Sequence, residues 1–212
     1  MPEQPCIAVL GMGTATGIPD ECVLHVNLNA TATTPSEALD HCAEAANRVL
    51  SALGRVGIES RDVRTTNLSV QDFFDKASQR VTGRIGSYQL EIIIRSLDDV
   101  GRVVATLSSE AGDALQIRHL HLVVSDAAPL EKEARRLAVL DAQSKASQLT
   151  ETAGVALGEI LSIQDEGGRN GRPHRTQAVA AAVSGHIAAS LPVEAGEVTA
   201  SSSVVITYAI DS

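Results

Sequence analysis

Aromatic residues are almost absent from this chain. Its 212 residues include two Phe, two Tyr and no Trp, so the core must be built from Val, Ile, Leu and Ala, and the chain offers little to stack bases or sugars on. Cysteine is scarce as well. Cys6, Cys22 and Cys42 are an odd number without the spacing of a metal site, so the sequence predicts no disulfide framework.

Positive charge and long apolar runs are also in short supply. With 17 Lys and Arg against 26 Asp and Glu, the net charge is −9, which argues against a nucleic-acid partner because such binding neutralises phosphates. No segment approaches the roughly 20 apolar residues of a membrane helix. The first residues lack the basic region and the apolar run of a secretory signal. We therefore expect no transmembrane segment and a cytoplasmic location.

The most regular stretch of the sequence runs from Pro129 to Gly154. Pro129 suits a first helical position, and Gly154 suits the residue after the last turn. Between them, apolar residues recur at three- and four-residue steps: Leu130, Ala134, Leu137, Ala138, Ala142, Ala146, Leu149 and Ala153. Such a stripe predicts a long surface helix, and its many alanines predict close packing against a sheet.

Before this helix, the order of elements is strand, helix, strand, strand, helix, strand. Alternating or capped segments mark the predicted elements, which are Cys22 to Ala32, a helix opened by Thr34 and Glu37, Asp62 to Val70, Tyr88 to Ile94, a helix from about Asp98, and Ile117 to Val124. Residues 71–86 suit a hairpin connection or a loose excursion. This order is typical of a split βαβ (ferredoxin-like) fold, an antiparallel sheet with two helices on one face. The sequence thus predicts an α+β protein whose first lobe spans 21–125.

The remaining segments predict a second small sheet packed on the long helix, in a lobe of residues 5–13 with 129–212. A short strand from Cys6 to Met12 precedes a predicted turn over residues 14–20, and further strands are expected near Ile160 and from Val198 to Ile210. Residues 165–192, rich in Gly, Arg and Ala, predict a mobile loop. Gly11 and Gly13 lack the third glycine and the following helix of a dinucleotide loop, so we predict no cofactor.

Several stretches together resemble the SIMPL-domain family, a group that includes periplasmic immunogenic proteins of bacteria. They are the first strand VLGMG, DVRTTNLS at residues 62–69, LDDVG at 97–101, the helix segment EARRLAVLDAQSKASQL and the terminal LPVEAGEVTASSSVVITYAI. The resemblance implies a largely uncharacterised, non-enzymatic protein associated with bacterial envelopes and with self-assembly. It also opens an alternative location, in the envelope or outside the cell.

Two histidines are the best candidates for chemistry. His119 and His121 alternate on a predicted strand, so both project from one face about 7 Å apart, close enough to share a metal with a third ligand. The sequence alone places no third ligand: His25 and Cys22 fall on opposite faces of their strand. We therefore predict no bound metal, and a metal- or small-ligand-binding module using His119 and His121 remains an alternative.

We expect a non-enzymatic, self-assembling interaction protein without cofactors. The predicted sheet needs cover on the face away from its helices, where alternation places Ile93, Ile117 and Val123. These three residues are the predicted interface of a homo-oligomer. An envelope-associated assembly is an alternative, and Phe73 and Phe74 form either an exposed contact or a cover over a core edge.

Overall fold

The computed structural model describes residues 5–75, 80–166 and 194–211. These residues divide into two compact units. Among the described residues, the central unit is Pro19–Val123 with 194–196. The terminal unit consists of the residues up to Ile18, those from Val124 to 166 and those from Glu197 onwards. Most of the predicted mobile loop at 165–192 lies outside the described residues.

The central unit has the predicted split βαβ order. Its main elements are β2 (Glu21–Ala32), α1 (Pro35–Arg55), β3 (Val63–Asp75), β4 (Arg80–Ile94), α2 (Val100–Ala111) and β5 (Leu115–Val123). All strand pairs are antiparallel, in the order β3-β4-β2-β5. The α+β class and the ferredoxin-like topology are therefore confirmed. Of the two alternatives for residues 71–86, the structure has the hairpin connection rather than the loose excursion, because β3 extends to Asp75 and is paired with β4 from Arg80 onwards.

Helices α1 and α2 pack together on one face of this sheet. Their apolar stripes and the two central strands form one core, which includes Leu24, Leu28, Val49, Leu53, Ile92, Val103 and Leu107. The predicted capping box opens α1. The Thr34 hydroxyl accepts a hydrogen bond from the Glu37 amide at 3.3 Å, and the Glu37 carboxylate accepts one from the Thr34 amide at 3.2 Å.

The terminal unit is a three-stranded sheet packed on one long helix, as predicted. It contains β1 (Cys6–Gly17), α3 (Ala128–Ala153), β6 (Ala156–Asp165) and β7 (Val198–Asp211). The long strand β7 lies in the middle, antiparallel to both neighbours. Ala134, Ala138, Ala142 and Ala146 of α3 are fully buried, whereas Leu149, which the predicted stripe included, is 52% exposed.

The predicted turn after Gly13 is wrong, because β1 continues as a strand to Gly17. Gly11 and Gly13 alternate on the face toward α3. A Cβ added to Gly11 would overlap the main-chain oxygen of Ala138, and one added to Gly13 would overlap that of Ala134. These glycines permit close packing of strand and helix, which explains the glycine pattern without a phosphate loop.

Candidate functional site

The candidate site lies on the second face of the central sheet, opposite α1 and α2. Core residues Leu24, Val26 and Leu28 of β2 point toward the helices, so the alternate residues point the other way. Directly paired residues of antiparallel strands share a face. By that register the second face carries Val23, His25, Asn27, Asn29, Arg64, Asn67, Ser69, Ile85, Ser87, Gln89, Glu91, Ile93, Gln116, His119, His121 and Val123. Most of these side chains are polar.

Three histidines meet on this face. His25 of β2 is paired directly with His119 of β5, and His121 follows two residues later on the same strand. The ring centroids are 6.3 Å apart for His25 and His119, and 5.7 Å apart for the other two pairs. The structure thus brings His119 and His121 together as predicted, and it adds His25, which the sequence reasoning missed.

Glu91 adjoins this histidine cluster from strand β4. Its Oε2 lies 3.8 Å from Nε2 of His25. The same carboxylate accepts hydrogen bonds from Nη2 of Arg64, at 2.9 and 3.0 Å. These two hydrogen bonds hold the Glu91 side chain, which is only 18% exposed, beside the imidazole. Arg64, Glu91, His25 and His119 therefore form one row across all four strands of the sheet.

In their present rotamers, no three or more His, Cys, Asp or Glu side chains within the described ranges are arranged to hold a metal ion. The rings of His119 and His121 are stacked with an interplanar angle of 22°, and the His25 ring stands nearly perpendicular to both. The cluster therefore brings three imidazoles close together without their donor atoms converging.

Beside the histidines, the second face forms a shallow polar depression of about 320 Å³. Its lining consists of amide, hydroxyl and guanidinium side chains with one isoleucine: Asn27, Asn29, Asn67, Ser69, Gln71, Ile85, Ser87, Gln89 and Arg118. Asn27 is buried, and its Oδ1 accepts a hydrogen bond of 2.8 Å from the Ser87 hydroxyl. This lining offers hydrogen-bond donors and acceptors and little apolar surface.

The predicted oligomer residues do not share one apolar face. Val123 and Ile93 belong to the second face by register, where both are partly buried. Ile117 is paired with Val26, a residue of the helix-side core, because the register shifts at Arg118. A β-bulge of this kind reverses the alternation that the prediction assumed. Ile117 therefore lies on the other face of the sheet, at its edge and 37% exposed.

An ion-pair network lies at one end of the central sheet. Arg95 donates to both carboxylate oxygens of Asp62, at 2.6 and 3.1 Å, and to Glu21 at 3.0 Å. The hydrogen bonds from Arg95, assisted by its charge, lower the pKa of the buried Asp62 below its usual value. This network fixes the start of β3 against the end of β4.

Two of the three cysteines are buried structural residues. Burial raises the pKa of the Cys22 thiol to about 12 and also raises the pKa of Cys42. The Cys42 thiol lies 3.6 Å from the main-chain oxygen of Leu28 and donates a hydrogen bond to it. A high pKa disfavours the reactive thiolate, so neither residue suits nucleophilic chemistry. Cys6 is exposed on β1.

Several large apolar side chains are exposed. On β1, Leu10 is 48% and Met12 63% exposed, and on the β3–β4 hairpin Phe73 is 41% and Phe74 55% exposed. The two phenylalanines thus do not cover a core edge, which decides between the two readings left open by the sequence.

Among the described helices, none combines the length and the apolar character needed to span a bilayer.

Comparisons with known proteins agree on one family. The family model named SIMPL, described as a protein of unknown function (DUF541), matches residues 7–208. A 26 kDa periplasmic immunogenic protein of Brucella melitensis is 34% identical over 177 residues, covering 78% of this chain and 68% of the relative. The protein of the same name from Brucella abortus shows the same identity and coverage. An uncharacterized protein, YggE, of Edwardsiella ictaluri is 23% identical over 167 residues, covering 77% and 69%.

These comparisons confirm the predicted resemblance and correct the predicted location. The cytoplasmic expectation was wrong, because the Brucella relatives are named as periplasmic proteins. That expectation rested on the composition of the first residues and on the lack of a long apolar segment, and the likeness over most of the chain outweighs both.

Proposed function

Because the chain belongs to the SIMPL family, we propose that it is a non-enzymatic interaction protein of the bacterial envelope that assembles from several copies of itself. Envelope location is supported by the names of the Brucella relatives, which are periplasmic. The family itself has no established biochemical function, so the proposal for this chain depends on its own surface.

An exposed apolar patch on the terminal sheet carries the proposal of self-assembly. Leu10 and Met12 alternate with Val9, Gly11 and Gly13, which face α3, so both point away from the helix. Val205 of β7 is paired with Leu10 and extends the patch into the middle of the sheet. Burying such side chains against a second copy is favourable by about 25 cal/mol per Å² of apolar surface. Symmetric self-association is the common way to cover such a patch.

The charged groups of the described residues support a structural use rather than a catalytic one. The carboxylates with lowered pKa values each have a partner that explains the shift: Asp62 has Arg95, Glu133 has Arg136, Asp141 has Lys145, and Glu37 caps α1. Structural ion pairs and caps shift pKa values in this direction.

Size-exclusion chromatography with light scattering tests self-assembly. At micromolar concentration the full chain should give a mass several times 22.1 kDa. The double variant Leu10→Lys/Met12→Lys should shift the mass toward that of one chain, because charge on the patch opposes its burial. The matched control is Thr14→Lys/Thr16→Lys, which places two charges on exposed positions of the same face of β1 and should retain the assembly.

The predicted interface on the central sheet provides the competing outcome. Ile93→Asp/Val123→Asp should leave the mass unchanged if the β1 patch forms the contact. A fall in mass with this variant alone would move the interface to the central unit and contradict the role given to β1. A monomer at every concentration would contradict self-assembly altogether.

A further inference from the structure

We propose that His25, His119 and His121 bind one transition-metal ion of the zinc type, with a fourth coordination position left to a water molecule or an anion. This proposal is independent of self-assembly, because all three residues belong to one chain and to its central unit. It also departs from the expectation drawn from the sequence, which could place only two of the three ligands.

The strand pairing supplies the three ligand positions. His119 and His121 project from the same face of β5, and His25 lies directly opposite His119 on β2. Paired residues of antiparallel strands have Cβ atoms about 5 Å apart, and residues two apart on one strand are separated by about 7 Å. Three side chains anchored in this way surround one point above the sheet. All three histidines lie on two hydrogen-bonded strands, β2 and β5, and not on a loop.

The ring separations match three ligands of one ion. A zinc ion about 2.1 Å from each nitrogen lies about 3.2 Å from each ring centroid, so tetrahedral directions put the centroids about 5.2 Å apart. The observed separations are 5.7, 5.7 and 6.3 Å. Each pair therefore has to close by only about 0.5 to 1.1 Å relative to that geometry.

The imidazole rings have to rotate before their nitrogen atoms point toward one ion. The stacked rings of His119 and His121 have to turn about their χ2 torsions, which are broad for histidine. His119 is exposed, His121 is partly exposed and the His25 side chain is 29% exposed, so none of the three rings is enclosed in a core. Metal–nitrogen bonds would then replace the ring contacts now seen among the three histidines.

Glu91 and Arg64 are the residues that would orient one ligand. With the metal on Nδ1 of His25, the N–H at Nε2 faces Oε2 of Glu91 at 3.8 Å, a distance that a small ring movement shortens to a hydrogen bond. Ligating histidines commonly donate their second N–H to a carboxylate in this way, which fixes the tautomer and raises the basicity of the ligand. Arg64 in turn holds Glu91 through two hydrogen bonds.

The donor set indicates the class of ion. Three neutral imidazoles suit Zn²⁺, Cu²⁺ or Ni²⁺ and do not suit Mg²⁺ or Ca²⁺, which prefer oxygen ligands. Three histidines with an open fourth position form the ligand set of the zinc site in carbonic anhydrase. Arg118 lies next to His119 in sequence and lines the polar depression, so an anionic fourth ligand would lie near a positive charge.

Cobalt and zinc titrations of the tag-free full chain test the site. After treatment with a chelator, Co²⁺ is added at mildly alkaline pH, and the visible d–d bands of four-coordinate Co²⁺ are recorded. Zn²⁺ should displace it with a stoichiometry of one ion per chain. His25→Ala, His119→Ala and His121→Ala should each weaken Zn²⁺ binding at least tenfold, and Glu91→Gln should weaken it about tenfold.

Matched variants exclude other ligands. Asn29→Ala alters the same face of β2 as His25→Ala and should bind Zn²⁺ like the unaltered chain. The combined variant His41→Ala/His174→Ala/His186→Ala removes the remaining histidines of the sequence, and Cys6→Ser removes the exposed thiol. Both should retain the one-to-one stoichiometry and the Co²⁺ spectrum. Circular dichroism of every variant establishes that the fold is retained.

Three outcomes would overturn the proposal. The first is absence of the Co²⁺ bands together with absence of saturable Zn²⁺ binding. The second is a His25→Ala variant that binds as well as the unaltered chain, which would show chelation by His119 and His121 without the third ligand. The third is loss of binding in the control without His41, His174 and His186, which would place the metal elsewhere.

Discussion

Alternate glycines on β1 let the backbone of α3 lie directly on the terminal sheet. Gly13 faces the main-chain oxygen of Ala134, and Gly11 faces that of Ala138. Four alanines on the face of the helix toward the sheet, Ala134, Ala138, Ala142 and Ala146, are fully buried. The glycines of β1 and the alanines of α3 therefore let the two backbones lie close together. This packing requires small residues on both the strand and the helix.

Substitution of Gly13 by Ala should destabilise the protein strongly. The added methyl group overlaps main-chain atoms of α3, which cannot move away as a flexible side chain would. We expect the free energy of unfolding to fall by about 2 kcal/mol or more, measured by urea denaturation. Gly54→Ala is the control, because Gly54 lies in α1 with nothing within 4 Å of an added Cβ. That change should be neutral or stabilise by up to about 1 kcal/mol. Equal effects of both variants would contradict close packing at Gly13.

The contact between Asp62 and Arg95 should make stability depend on acidity. Hydrogen bonds from Arg95 lower the pKa of Asp62 in the folded chain, whereas the unfolded value is about 3.9. A group with a lowered folded pKa contributes stability that is present above the unfolded pKa and is lost as the pH falls through the folded value. The loss should therefore begin near pH 3.9 and continue below it.

Asp62→Asn should remove this contribution. Urea denaturation across the acid range should show that the variant is less stable than the unaltered chain near neutral pH and that the two curves converge below about pH 3.9. The control is Asp113→Asn, which also removes one carboxylate but at an exposed position after α2, outside the ion-pair network. A constant difference between Asp62→Asn and the unaltered chain at every pH would contradict the assigned role of the ion pair.

At the scale of the elements, the periodicity of the sequence predicted the helices and strands that carry a regular apolar pattern. It missed the features that depend on contacts with another element. The alternation of β2 and the helical stripes of α1, α2 and α3 gave the order of elements and hence the split βαβ topology. The length of β1 was missed because Gly13 and Gly17 look like turn residues until the backbone of α3 is known to lie against them. The hairpin between β3 and β4 was one of the two alternatives for residues 71–86, but the full length of its strands was missed because these polar residues carry no apolar alternation.

The candidate site shows the same limit. Alternation placed His119 and His121 on one face, and the predicted topology already makes β2 the neighbour of β5. His25 was missed because alternation gives the face of a strand but not the register, and only the register sets His25 opposite His119. Ile117 was misplaced for a different reason. A bulge at Arg118, for which the sequence gives no clear signal, shifts the register between His25 and Val26 and moves Ile117 to the other face of the sheet.

Helix α3 also protects the edge of the terminal sheet. Strand β1 is an edge strand, so part of its backbone has no neighbouring strand to pair with. The Asp141 carboxylate accepts a hydrogen bond from the Met12 amide at 2.8 Å, and the Lys145 ammonium donates one to the main-chain oxygen of Leu10 at 3.0 Å. The two side chains are joined by an ion pair of 2.6 Å. Charged groups of a neighbouring helix that cover an edge strand in this way oppose its pairing with other chains.

Removal of this pair should expose the edge of β1. For Asp141→Ala/Lys145→Ala we expect faster aggregation on heating, followed by light scattering, together with a lower unfolding temperature. The control is Glu133→Ala/Arg136→Ala, which removes an ion pair of 2.7 Å on the surface of the same helix. Such surface pairs contribute little to stability, so the control should aggregate like the unaltered chain. Equal aggregation of the two variants would show that loss of charge alone, and not loss of the contacts with β1, is responsible.

At the scale of the whole molecule, the two units differ in how the chain builds them. Among the described residues, the segment Pro19–Val123 supplies all the helices and strands of the central unit, which also includes residues 194–196, whereas the terminal unit combines segments from both ends of the sequence. Each unit has its own hydrophobic core. The ends of the central segment also meet within its sheet, because Glu21 is paired with Val123 and the Asp20 amide donates to the Val123 main-chain oxygen at 3.1 Å.

The central unit should therefore fold when it is produced alone. A fragment of residues 19–124 retains every strand of its sheet, both helices and the core between them, and its length of about 100 residues is common for independent domains. We expect a cooperative urea transition and dispersed amide resonances. A fragment of residues 19–114 is the control. It lacks β5, and with it Leu120 and Leu122, which pack against the core, so it should be unfolded or aggregated. If the longer fragment is also unfolded, the central unit depends on other segments of the chain, and the independence inferred from its separate core is wrong.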